Sequence, residues 1–136
     1  MVEFALSILV LMLLIFGIIE LIMLIATYNA LANAAKTGVR YAIVHGTGNA
    51  NCSGPGAPGV TCGDAGAANV TSAVTSYARL SLHNVSTMVI LPTYPDGSSA
   101  APARVRVVVS YPYQPFFGLG WPTVTVRAAA EGRIMH

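Results

Sequence analysis

Residues 4–27 read FALSILVLMLLIFGIIELIMLIAT, and Glu20 is the one ionisable side chain among them. The rest is Leu, Ile, Val, Met, Phe and Ala, with Ser7, Gly17 and Thr27. As a helix this stretch runs about 36 Å at about 1.5 Å per residue, enough for a hydrocarbon core of about 30 Å. A lone strand in lipid would leave its backbone N–H and C=O groups unpaired, so helix is the reading. A cleavable signal peptide is the competing one. Against it, no basic segment comes before the apolar run, and the run is long and continues into more helical pattern.

Beyond residue 27 the pattern turns amphipathic. Asn29, Asn33, Lys36 and Arg40 are spaced 4, 3 and 4 and form one polar stripe. Tyr28, Leu31, Ala32, Ala35, Val39, Ala42 and Ile43 line another face. One rod therefore leaves an apolar environment and becomes part of a water-facing domain. We divide the chain into an apolar helix, 1–27, and an exported domain, 28–136, whose first part, 28–44, continues the helix.

Residues 45–66 are rich in Gly and Pro and read as loop. Cys52 and Cys62, the only cysteines, lie in it. An even count in a small exported domain favours a structural disulfide. A metal pair would need more ligands than His45, and a redox pair would need Cys-x-x-Cys. A short second helix follows over 65–82. Asp64 is its N-cap candidate, and Val70, Val74, Tyr77 and Ser81 recur on one face, widened by Ala73 and Ala78. The rest, 84–134, reads as three strands. The first covers 84–91 and stops at Pro92. The second, 103–111, puts Val105, Val107, Val109 and Tyr111 on one face and Arg104, Arg106 and Ser110 on the other. The third, 123–134, sets Val124, Val126, Ala128, Ala130 and Ile134 against Thr123, Thr125, Arg127, Glu131 and Arg133. Strict alternation means an antiparallel meander with one dry face, which covers the rod and the second helix. The fold class is α+β: a long apolar spine helix, a short helix and a three-stranded antiparallel sheet.

Composition narrows the function. Of 136 residues 54% are hydrophobic and 9% charged, against about 25% charged in soluble domains. A net charge of +2, with Lys36 the only lysine, gives no basic patch for nucleic acid. The acids of the soluble part are Asp64, Asp96 and Glu131, none in a motif with His, and there is no nucleophile elbow, P-loop or set of metal ligands. No catalytic residue, cofactor or metal is expected.

Four blocks carry a resemblance: Val2-Glu3-Phe4-Ala5-Leu6, Phe16-Gly17-Ile18-Ile19-Glu20, Tyr28-Asn29-Ala30-Leu31-Ala32-Asn33-Ala34-Ala35 and Gly38-Val39-Arg40-Tyr41-Ala42. In order and spacing they resemble the TadE-like pilin family, within the type IV pilin-like proteins. The resemblance covers about the first 45 residues; the remainder agrees in general plan. It implies a pilin-like fold, processing by a prepilin peptidase, an inner-membrane pool before assembly, and work with the Tad (tight adherence) machinery. Members are made with a short basic leader; here Met1 and Val2 precede Glu3.

Two acids in the apolar segment are the assembly candidates, because carboxylates in hydrocarbon are costly unless neutral or paired. Glu3 would pair with the N-terminal amine of a neighbouring copy. Its plainer reading is a place at the membrane surface. Glu20 has no evident partner within the chain, and its plainer reading is a neutral group facing other helices. Tyr113, Phe116, Phe117 and Trp121 stand on a Pro-stiffened aromatic loop and are candidates for subunit contact. Their plainer reading is local core or contact with lipid headgroups. The favoured function is a structural subunit of an extracellular helical pilus filament, with copies of itself as partners and the apolar helices in the core. The runner-up is a membrane-anchored minor pseudopilin that helps assembly or sits at the tip. A weaker third is an adhesin tip using the disulfide or aromatic loop.

Overall fold

The computed structural model describes residues 2–118, 120 and 122–135. The elements are α1 (Val2–Val44), α2 (Ala68–Ala78), β1 (Val89–Thr93), β2 (Arg104–Tyr113) and β3 (Val124–Arg133). This is the α+β arrangement, with one sheet in the order β1-β2-β3, both pairs antiparallel.

α1 is a single helix of 43 residues. It has no proline, and apart from Ser7 and Gly17 its N-terminal half is built of residues that neither break nor cap a helix. From residue 31 on, α2 and the sheet cover one face. The buried positions there are Leu31, Ala34, Ala35, Gly38, Val39 and Ala42, recurring at 3, 1, 3, 1 and 3 as a helix face requires. The expected stripe is corrected at its edges. Tyr28 is half exposed and Ala32 only partly covered, while Ala34 and Gly38 belong to the contact. Gly38 lets α2 approach: a Cβ there would collide with the side chain of Val74.

α2 is shorter than the 65–82 expected. Asp64 caps it from outside: its carboxylate accepts the N–H of Ala68 at 2.8 Å and of Asn69 at 2.8 Å. Ala67, with φ 54°, breaks the helical path between. At the other end Leu80, Ser81 and Leu82 donate back to Tyr77 and Ala78 in a tight turn. The buried positions are Val70, Val74 and Ala78, one turn apart; Tyr77 and Ser81 face outward.

The first strand is displaced from the expected 84–91. Asn84 accepts the backbone N–H and the hydroxyl of Ser86, and Met88 donates to the Val85 carbonyl, so 84–88 is turn. Pro92 lies inside β1, opposite Val107. β1 is an edge strand, where a residue without an N–H is tolerated. β2 and β3 start and end within two residues of expectation. Val105, Val107, Val109, Val126 and Ala128 turn inward, as does Ile134 just beyond β3. Val124, expected on the dry face, is about half exposed at the end of the sheet, and Ala130 and Tyr111 are only partly covered.

Residues 45–66 contain no helix or strand of their own, only isolated bridges. Cys52 and Cys62 are joined, with Cα atoms 5.6 Å apart.

Candidate functional site

The sheet runs beside α1 with Tyr113 at one end, level with the C-terminal third of the apolar segment. There Glu20, 6% exposed, meets the chain again. Its Oε1 accepts the phenol O–H of Tyr113 at 2.6 Å, and both oxygens accept the N–H of Phe116, at 3.0 and 3.2 Å. This corrects the expectation that Glu20 lacks an in-chain partner. The donors come from a segment more than 90 residues on, and no local pattern near Glu20 announces them. Tyr113 was legible as an aromatic contact but not as a donor to a carboxyl group.

The tie folds the aromatic loop onto α1. Phe117 packs against Phe16, ring centroids 4.9 Å apart, and meets Phe116 edge-on at 5.3 Å. Phe116 itself stays 77% exposed. Trp121 lies outside the described residues. So the structure gathers Glu20, Tyr113, Phe116 and Phe117 into one cluster. An open, almost wholly apolar cleft of about 320 Å³ adjoins it, between Gly17, Leu21 and Leu24 of α1 and Pro115, Pro122 and Val124.

Glu3 is not part of this cluster. It stands exposed in the first turn of α1, where a negative charge suits the helix dipole. Glu20 lies seventeen helical residues further on, about 26 Å away. The disulfide is at the opposite end of the domain. Next to Cys52, Ser53 donates its hydroxyl to Asp64 at 2.6 Å, and its carbonyl accepts the Tyr94 phenol at 3.0 Å. Burial would raise the Asp64 pKa, but the Ser53 hydroxyl and the N–H groups of Asn69 and Ala68 outweigh it and hold it below 3.8. Burial, with the Asp64 charge, pushes the Tyr94 phenol up to about 12. This network fixes a loop and offers no chemistry. Among the described residues no group of three or more His, Cys, Asp and Glu side chains is placed to hold a metal.

The bare part of α1 is what remains. By length and composition it can cross a membrane, and its most apolar stretch is almost wholly uncovered by the domain.

Residues 1–40 match the TadE-like protein family.

The matched TadE-like segment holds both acids of α1 and ends four residues before the helix does. It is the family that the N-terminal blocks resemble. No curated protein and no solved structure matches the chain. The TadE-like match and the apolar helix together fit a pilin-like protein of a Tad system.

Proposed function

We propose that this chain is a structural subunit of an extracellular helical pilus filament, with the N-terminal halves of α1 packed together as its core. The supporting observation is the bare half of α1. Val2, Phe4, Leu6, Leu9 and their successors stand in the open on an unbroken helix that also forms the spine of the domain. Covering one such side chain is worth about 1.5–3 kcal/mol, so this segment is not stable in water alone. Lipid covers it before assembly and neighbouring helices cover it afterwards. The same head-to-tail contact repeated without closure produces a fibre. Glu3, at the start of the helix, neutralises a positive group of the neighbour during docking. On this reading the chain passes through an inner-membrane pool, is cut by a prepilin peptidase and is handled by the Tad assembly machinery.

The length of the bare segment also fits a bilayer, which supports the second reading, a minor pseudopilin that remains in the inner membrane or caps the tip. Shearing producing cells and imaging the released material with an antibody to the domain separates the two. Label along the whole length of filaments is the expected result. Label only at tips, or only in the membrane pellet, overturns the subunit reading in favour of the second.

A further inference from the structure

α1 has two distinct sides, and both follow a repeat of seven residues. The side turned to the domain runs Gly17, Glu20, Leu24, Thr27 and Leu31, each partly or fully covered, and the same spacing carries on to Gly38. The opposite side runs Ile8, Leu11, Ile15, Ile18, Ile22 and Ile25, spaced 3, 4, 3, 4 and 3, and ends four residues on at Asn29. These six apolar side chains stand open, from 41% at Ile15 to 58% at Ile22. Five of the six isoleucines between residues 4 and 27 fall on this one line, and every leucine of that stretch except Leu11 lies off it. Contact with acyl chains does not sort Ile from Leu, because the two are about equally apolar. Contact with packed side chains does. A β-branched residue holds one χ1 rotamer in a helix and presents a fixed shape to a neighbour.

We infer that this line is a self-association seam, along which membrane-held copies of this chain pack as a parallel, in-register coiled coil of three. Isoleucine at both apolar positions of a heptad favours three or more strands over two. A spacing of 3.5 residues against 3.6 per turn winds them left-handed. Area points the same way. From Ile8 to Asn29 the seam is about 32 Å long, and covering half the circumference of a helix about 10 Å across buries on the order of 500 Å² per copy. Three copies together bury about 1,500 Å², within the roughly 1,200–2,000 Å² of specific interfaces, and two fall short. Access is open on this side alone at the level of Glu20, whose own side is closed by Tyr113 and Phe116. The domains therefore stand outside the bundle, and their common side of the membrane makes the helices parallel. Asn29 is exposed at the next position of the repeat. A lone polar residue there fixes register, because a shifted neighbour leaves its amide without a partner. Beyond it the same side carries Asn33, Lys36 and Arg40, all exposed, and like charges part the helices.

The seam rests on the membrane-held state of the proposed function, so it is read in lipid without filaments. The full chain, with one added cysteine, is placed in phosphatidylcholine vesicles and treated with a membrane-permeant thiol oxidant. Ile18→Cys and Ile22→Cys are expected to link into pairs. Leu9→Cys and Met23→Cys, exposed on other sides of α1, are expected to link several-fold less. Equal linkage at all four positions is random collision and overturns the inference. Linkage between Ile8→Cys and Ile25→Cys chains in a mixture means antiparallel helices and also overturns it. Asn29→Leu is expected to permit linkage between Ile15→Cys and Ile22→Cys chains, which the parent register forbids. Energy transfer between labelled chains, followed as protein is diluted in lipid, gives copy number and strength. Ile15→Ala with Ile22→Ala is expected to raise the dissociation constant at least tenfold. Leu9→Ala with Leu13→Ala, a like loss of apolar volume off the seam, leaves it unchanged. All four side chains lie on the bare part of α1, so the domain folds in both variants. Absence of transfer at every dilution, equal weakening by the two alanine pairs, or a copy number of two overturns the seam as stated. Filaments missing from sheared material leave the vesicle result unchanged, and filaments built by a chain that stays monomeric in vesicles strike the seam alone, so the two failures are distinguishable.

Discussion

Asp64 shows what one side chain can hold together. It accepts from Ser53 beside the disulfide and from Ala68 and Asn69 at the start of α2. Replacing it with Ala removes a helix cap, a loss of about 1 kcal/mol, measured by denaturant unfolding of the full chain in detergent. Its titration gives a second test. Because its folded pKa lies below the ordinary 3.8, its contribution is complete above that value and is lost as pH falls through the folded one. Stability of the parent chain therefore drops on acidification below about pH 4, and Asp64→Asn shows a shallower drop across the same window. Tyr113→Phe takes one of the donors from Glu20 and leaves the Phe116 N–H. We expect faster hydrogen exchange at Phe116 with no change at Leu31, which lies deep in the core. Asp64 was legible as a cap because Asp before an apolar-periodic run has a local meaning. The Glu20 partner was not, because its geometry exists only after β2 has docked on α1.

Among elements, α1 and α2 approach closely at Gly38. Gly38→Ala pits two effects against each other: helix propensity favours Ala by about 1 kcal/mol, and overpacking costs about 1–3 kcal/mol. Val74 is branched and fully buried, so it has nowhere to move, and a net loss of stability is expected on thermal unfolding. The disulfide loop gives the second test at this scale. Changing Cys52 and Cys62 to Ser together is expected to lower stability by about 2–3 kcal/mol and to raise protease sensitivity within 46–66. Periodicity located both helices and the last two strands, and the inward faces of β2 and β3 followed from alternation. Errors fell where alternation or stripe continues past its support. Ser81 lies beyond the end of α2, Val124 at the open end of the sheet, and 84–88 in a turn made by the Asn84 side chain. A pattern states which side is apolar and not how far the neighbouring element extends to cover it.

For the whole molecule the test concerns assembly. Glu3→Gln is expected to lower filament yield while the chain still enters the membrane, read by quantifying sheared pili against the membrane pool. Unchanged yield removes Glu3 from docking. The domain also grips its spine at two distant heights. Met135 donates its N–H to the Ile43 carbonyl at 3.0 Å, and Glu20 is tied to the aromatic loop. They are 23 helical steps apart, about 35 Å, splinted along one side by sheet and α2. Bending is thereby concentrated N-terminal to Glu20, and the first weak point there is Gly17. Nothing crowds Gly17 within 4 Å, and a mid-helix glycine holds its backbone less firmly than alanine. The chain is mechanically a stiff head on a stalk, with Gly17 as a pivot just beneath it that the Phe16–Phe117 contact braces. Gly17→Ala would narrow the spread of head tilts among chains imaged in lipid nanodiscs. A fibre of such subunits would take up curvature at the rim of its core and keep every head rigid.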